Sequence, residues 1–278
     1  MDRQTWPNDL DTASREPVTR PTLASDLRAL GLDEGATVIV HTSMSRLGPV
    51  IGGAQAVIAA LLDTLGERGT LVMPAHSGQL SDPANWQAPP APEAWWDTIR
   101  QEMPPYDPAL TPTREMGAVA ESFRTYPGVR RSAHPQVSFA ARGPLAERIV
   151  AEHSLQSKFG EDSPLAKLYE LDAQVLLAGV DHGSNTAIHL GEARAQFPGG
   201  RRLREGAPML VDGERRWVRF EETAPAAHDF AELGEDFSRD TGQEITGPLG
   251  WGRARLMRVR AIVDYAQDWL KEHRTPAR

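Results

Sequence analysis

The chain has 278 residues, 40% hydrophobic and 24% charged, enough to bury a sizeable core as one large domain or two closely packed ones. A formal net charge of −8 argues against a general nucleic-acid binder, which presents a basic face, and no run of about eighteen apolar residues is available to span a membrane. With no cysteine there are no disulfides, no thiolate zinc site and no cysteine nucleophile.

The opening "MDRQTWPNDLDTASREP" mixes charges and lacks an apolar signal stretch, so a cytoplasmic location is expected and residues 1–21 read as a loose arm. "TLASDLRALGL" (22–32) predicts a short helix with Thr22 as N-cap. "ATVIVH" (36–41) is a β-branched buried strand. "AQAVIAALLDTLGERG" follows as a helix, with Ala54, Val57, Ile58, Leu61, Leu62 and Leu65 on one face and Gly66 at its end. "TLVMPA" (70–75) is the next strand, which completes a unit of the size of a βαβ crossover.

Residues 76–116 form a proline-dense excursion with Trp86, Trp95 and Trp96, and a loop of that length is a functional lid or a stiff surface cover. "MGAVAESFRTYPGV" predicts a short helix. "SFAARG" (138–143) and "QVLLAGV" (174–180) predict strands, with "PLAERIVAEH" and "SPLAKLYEL" as helices beside them. "MLVDGERRWVRFEE" (209–222) reads as a hairpin turning at Asp212-Gly213. "RARLMRVRAIVDYAQDWLKEH" predicts a closing amphipathic helix with Leu256, Val259, Ile262, Val263, Ala266 and Trp269 on one side. The fold class expected is α/β, a mixed central sheet flanked by helices, in a single domain over 22–278.

The common phosphate-loop, dinucleotide, nucleophile-elbow and zinc-protease motifs are missing. The loop "HTSMSRLGPVIGG" (41–53) still joins a strand to a helix start and offers free backbone N–H groups, the Ser43 and Ser45 hydroxyls and the Gly52-Gly53 pair, as an anionic ligand requires. "GVDHGSNTAIHLGEAR" (179–194) places His182, His189 and Glu192 close together. It predicts a helix starting after Gly183, capped by Ser184 or Asn185, with His189 and Glu192 neighbours at i, i+3. His189 is therefore a candidate general base, a structural or capping histidine, or a metal ligand with His182, although the spacing lacks a chelating pattern.

Five ordered blocks resemble the antibiotic N-acetyltransferase family of aminoglycoside 3-N-acetyltransferases, whose fold differs from that of the GNAT enzymes. They are "VIVHTSMSRLGPVIGGAQAVIAALLDTLGERGTLVMP", "SDPANWQAPPAPEAWW", "YDPALTPTREMGAVAESFRTYPGVRRSAHPQVSFAARG", "FGEDSPLAKLYELDAQVLLAGVDHGSNTAIHLGEAR" and "RRWVRFEE". The resemblance implies acetyl transfer from acetyl-CoA to the 3-amino group of an aminoglycoside, which confers antibiotic resistance, without a metal. It also implies that His189 is the essential histidine, that Glu221 (or Glu222, one residue along the hairpin) orients it, and that His41, Thr42, Ser43, Met44 and Ser45 contact coenzyme A. Asp181, before His182, departs from the residue that relatives often carry there.

Chemically, such a reaction needs a base for the ammonium proton, a role for neutral His189, and a donor for the oxyanion, for which the Thr186 hydroxyl is the candidate. Carboxylates for the drug's ammonium groups are available at Asp82, Asp107, Glu121 and Asp181, with Glu93 and Asp97 beside them. Two alternatives compete with this reading. One is acetyl-CoA-dependent acetylation of another amine metabolite, and the other is a non-catalytic binder of a cationic ligand. The acids of the excursion favour the drug.

Overall fold

The computed structural model describes residues 15–196 and 201–274. Helix α1 (Arg20–Leu30) begins one turn earlier than expected. Thr19, not Thr22, is the N-cap, and Thr22 completes a reciprocal capping box from the third helical position. Residues 15–19 are not loose: Val18 bridges to Val50, and the Glu16 carbonyl accepts a bond from the Trp251 ring nitrogen. The remainder of the expected arm, residues 1–14, lies outside the described residues.

Strand β1 (Thr37–Thr42), helix α2 (Gly53–Leu65) and strand β2 (Thr70–Pro74) form the βαβ unit, with Val38 opposite Leu71 in a parallel pair. Within the excursion lies α3 (Trp96–Glu102), and α4 (Gly117–Arg124) follows it. Strands β3 (Arg130–Arg131) and β4 (Phe139–Arg142) run antiparallel, β4 against β2. After α5 (Ala146–Val150) and α6 (Pro164–Glu170), β5 (Gln174–Ala178) pairs parallel with the other side of β1. Helix α7 (Ile188–Ala195) leads to the hairpin of β6 (Arg202–Val211) and β7 (Glu214–Thr223), a separate two-stranded sheet turning at Asp212-Gly213 as predicted. The chain closes with α8 (Phe230–Thr241), β8 (Ile245–Leu249), β9 (Gly252–Arg258) and α9 (Val259–His273).

The main sheet runs β3-β4-β2-β1-β5-β9-β8, with parallel strands at its centre and antiparallel strands at both edges. Alternation along β1 assigns its two faces. Val38 and Val40 pack with Leu27, Ile58, Leu61 and Phe123 of α1, α2 and α4, whereas Ile39 packs with Ile188, Phe230, Ile262 and Leu270 of α7, α8 and α9. Burying each such side chain contributes about 1.5–3 kcal/mol.

The expected closing helix is in fact a strand followed by a helix. "GRARLMR" is strand β9, paired antiparallel with β5 (Leu176 opposite Leu256), and only the part from Val259 is helical. Ala254 and Leu256 face one side of the sheet and Met257 the other, a period-2 pattern that the adjoining helical period obscured. Strands β3 and β8 and helix α8 also went unpredicted.

Candidate active site

The parallel strands β1, β2 and β5 end on the same side of the sheet, and the loops leaving them build the site. Beyond β5, Asp181 accepts a bond from the Gly183 N–H at 3.0 Å to cap a single 3-10 turn over His182–Ser184. The Asn185 side chain then accepts from the Ala187 N–H, and α7 begins only at Ile188. The helix starts later than predicted because this Asx-capped turn takes up the polar residues first. His189 therefore occupies the first helical turn.

Nδ1 of His189 lies 2.7 Å from Oε2 of Glu192 one turn on, both side chains largely buried. Burial pushes the Glu192 carboxyl up, but bonds from His189, Arg274 and the Ala226 N–H bring it below its ordinary value. An ionised carboxylate can only accept, so Nδ1 of His189 is the donor in this bond and Nε2 is the ring nitrogen it leaves free of Glu192. The ring is fixed by parallel stacking on Phe159 (centroids 4.5 Å, 7°) and by a tilted contact with Phe230 at 4.7 Å. This is the geometry of an oriented base.

The carboxylate bonded to His189 is thus Glu192, where Glu221 was expected. Residues of β7 alternate in burial, which turns Glu221 outward toward Arg202 and Arg204 and Glu222 inward. Glu222 pairs with Lys158 at 2.6 Å and does not bond His189. His182 is engaged elsewhere: its Nε2 lies 2.6 Å from Glu244 in a fully buried pair, packed so closely under Gly234 that a Cβ there would overlap its ring. Among the described residues no group of three or more His, Cys, Asp or Glu is placed to hold a metal ion.

His189 lines two cavities. The first, about 580 Å³, is bounded by His41, Thr42, Ser43, Met44 and Ser45, by residues 115–118, and by Gly183, Ser184 and Thr186. No Lys or Arg is among its lining residues, so an anionic ligand there would be met by backbone N–H groups and hydroxyls. His41 and His76 contribute uncharged imidazoles to it. Burial first, then the nearness of His189, pushes His41 down to about 3, and burial holds His76 well below the ordinary histidine value. Their Nε2 atoms and the Thr42 hydroxyl are buried without a protein partner. Gly52 and Gly53 do not line this cavity; they take left-handed conformations that start α2.

The second cavity, about 420 Å³, is bounded by residues 156–160, by His189, Glu192 and Ala193 of α7, and by Glu222, Thr223, Ala224 and Pro225 at the end of the hairpin. It is a charged wall. Lys158 holds Oε1 of Glu222, while Oε2 is buried without a partner, and burial raises the Glu222 carboxyl despite Lys158.

The acids expected to bind substrate line neither cavity. Asp82 bonds Arg100 at 2.7 Å and caps Ala84; Asp97 reaches the same arginine. Asp107 caps a turn through the Ala109 and Leu110 N–H groups. Glu121 is held at about 2 because Arg124 and Thr113 outweigh its burial. Asp181 is committed to its cap, and Glu93 sits in the first turn of a 3-10 helix. The excursion is a fixed wall of the hairpin: buried Glu205 of β6 accepts from the Asp82 N–H, Asn85 and Gln136, and Arg215 of β7 donates to the carbonyls of Arg100 and Met103. Lys158, Phe159, His76 and Arg274 are site residues that the sequence did not single out. Phe159, in "SKFGEDSP", was the most visible of them, a lone aromatic in a polar loop.

A family model described as aminoglycoside 3-N-acetyltransferase matches residues 39–271. The SPbeta prophage-derived aminoglycoside N(3')-acetyltransferase-like protein YokD of Bacillus subtilis (strain 168) is 44% identical over 255 residues, covering 91% of this chain and 93% of that protein. Its crystal structure superimposes with a TM-score of 0.90 at 43% identity, over 94% of this chain and 96% of that one. Aminoglycoside N(3)-acetyltransferase VIII of Streptomyces fradiae is 43% identical over 272 residues, with 92% of each chain covered. The AAC-IIIb binary complex with CoASH superimposes with a TM-score of 0.83 at 34% identity, over 95% of this chain and all (100%) of that one.

Proposed function

The chain belongs to the aminoglycoside 3-N-acetyltransferase family, and from that premise we propose that it transfers the acetyl group of acetyl-CoA to the 3-amino group of an aminoglycoside, with His189 taking the amine proton. The observation that carries the catalytic assignment is the placement of His189, tied to Glu192 through Nδ1 and lining both cavities. The cavity at the 41–45 loop takes the coenzyme and the one at the hairpin takes the acceptor. Nε2 accepts the proton as the amine nitrogen bonds the thioester carbonyl carbon; the carbon–sulfur bond then breaks, and the departing thiolate takes that proton from Nε2 and leaves as the thiol of coenzyme A. Thr186, on the coenzyme side one turn before His189, donates its hydroxyl to the oxyanion. Acetylation cancels one of the drug's positive charges, which is the chemical basis of resistance. Acetyl-CoA being an intracellular metabolite, the reaction belongs in the cytoplasm.

A second reading, acetylation of another amine metabolite, is favoured by one feature. Lys158 faces the acceptor cavity beside Glu222, a cation where a polycation would otherwise meet only acids. Mass spectrometry separates the two when an aminoglycoside panel and amines bearing a phosphonate or phosphate are incubated with the protein and acetyl-CoA. A gain of one acetyl group on aminoglycosides supports the first reading, and acetylation confined to the anionic amines supports the second. Unchanged masses throughout would refute both.

A further inference from the structure

The carboxylate that orients His189 is itself held from a distant part of the chain. Oε1 of Glu192, the oxygen that His189 does not use, accepts a bond of 2.5 Å from Nη1 of Arg274, just beyond α9. Arg274 also binds Asp229 through Nε and Nη2 at 2.7 and 2.6 Å, and donates to the Ala226 carbonyl at 2.6 Å. The side chains of Arg274, Glu192 and Asp229 are all about nine-tenths buried. Gly191, between His189 and Glu192, makes this possible: a Cβ there would lie 2.7 Å from the Val263 carbonyl and 2.8 Å from Ala266, so only glycine lets α9 cross α7 closely enough. The family model ends at residue 271, short of this arginine.

Resting on the reading of His189 as the base, we propose that Arg274 is a positioning residue for acetyl transfer, which fixes the orientation and charge of Glu192 and thereby sets how His189 is presented to the acceptor. The arginine fork locks the carboxylate plane, so that Oε2 stays on Nδ1. Its charge also offsets that of Glu192, so the dyad holds a transferred proton less tightly and releases it more readily after each turnover. The same side chain ties down residues 226–229, next to Ala224 and Pro225 of the acceptor wall.

The titratable and charged groups facing the dyad are His41 from β1, His76 from the loop after β2, Lys158 with Glu222, and Asp229 with its neighbour His228 before α8. His41 and His76 are kept neutral by burial, and the Lys158–Glu222 pair is internally balanced. Among the described residues, Arg274 is thus the cation bonded directly to the dyad.

The test is the pH dependence of kcat/KM, together with an NMR titration of the His189 ring, in the full chain and in Arg274→Gln and Arg274→Lys. Removing the cation from a dyad that keeps Asp229 nearby should move the acidic limb and the ring titration to higher pH by about one unit or more. Turnover should fall about tenfold or more. Arg274→Lys keeps the charge and loses the fork, so the titration stays in place while kcat falls. The NMR readout needs no turnover and so stands apart from the base assignment, which His189→Ala tests separately. A folded Arg274→Gln protein whose limb and ring titration do not move would overturn the proposal. If that variant fails to fold, Arg274→Lys still decides: native kcat, or a titration displaced as far as a unit, would equally refute it.

Discussion

The two walls that meet at His189 differ in how they are made and in what they offer. The 41–45 wall is built around the loop at the end of β1, with His76, residues 115–118 and the 183–186 turn completing it; it holds hydroxyls, backbone, the Glu115 carboxylate and the uncharged rings of His41 and His76, and no Lys or Arg. The hairpin wall is assembled from 156–160, α7 and 222–225, braced behind by Arg274, and it carries buried charge pairs. The difference teaches that one histidine borders two cavities of opposite character, one without Lys or Arg and one lined by a buried ion pair, which is what the proposed reaction asks of a coenzyme side and an acceptor side.

That division can be broken in several ways. His189→Ala should leave the fold and acetyl-CoA binding intact while turnover falls by roughly two to four orders of magnitude, the scale of a lost general base; near-native turnover in the purified variant would remove His189 from the mechanism. Glu192→Gln should follow with a smaller loss, since the ring keeps its stacking on Phe159.

Acid should act next, through the neutral histidines. Unfolded histidine takes up a proton near pH 6.5, whereas buried His153 resists until about 4 and His41 until about 3. Between pH 6.5 and 4 the unfolded chain binds more protons, so stability is full above 6.5 and declines as pH drops, by about 1.4 kcal/mol per unit for each such histidine. Thermal melts from pH 7 to 5 should show a steep fall in Tm, and a flat profile would mean that these rings protonate in place.

Glu222→Gln removes the partnerless carboxylate oxygen of the acceptor wall. It should raise acceptor KM about tenfold, the loss of one charge-assisted bond, with the coenzyme dissociation constant unchanged in calorimetry. Equal weakening of both ligands would mean that the two cavities are not separate subsites. The smallest effect belongs to Glu221→Gln, which should change kcat/KM less than about twofold, as expected of an exposed ion pair. A loss rivalling that of Glu192→Gln would restore Glu221 as the orienting acid.

Much of this was legible in the sequence where the determinants are local. The βαβ unit, the Asp212-Gly213 hairpin, the 41–45 loop and the i, i+3 spacing of His189 and Glu192 are all written within short windows. Family resemblance pointed to the hairpin for the orienting acid, while helix geometry had already placed Glu192 beside the ring. The rest is set by long-range packing. Whether Asp82 faces a ligand depends on Arg100, and whether Glu192 has a cation depends on Arg274, 82 residues away. Strand β9 was hidden because its period-2 pattern runs directly into the 3.6-residue pattern of α9.

The most direct test of the two-walled site is calorimetric titration of the wild-type protein with acetyl-CoA and with an aminoglycoside, separately, across a salt series. Screening shortens from about 10 Å at 0.1 M to about 3 Å at 1 M. Affinity for the polycation should fall steeply over that range, while affinity for the anionic coenzyme, gripped by backbone and hydroxyls, should change far less. A coenzyme affinity that falls as steeply as the drug's, or a drug affinity indifferent to salt, would contradict the account.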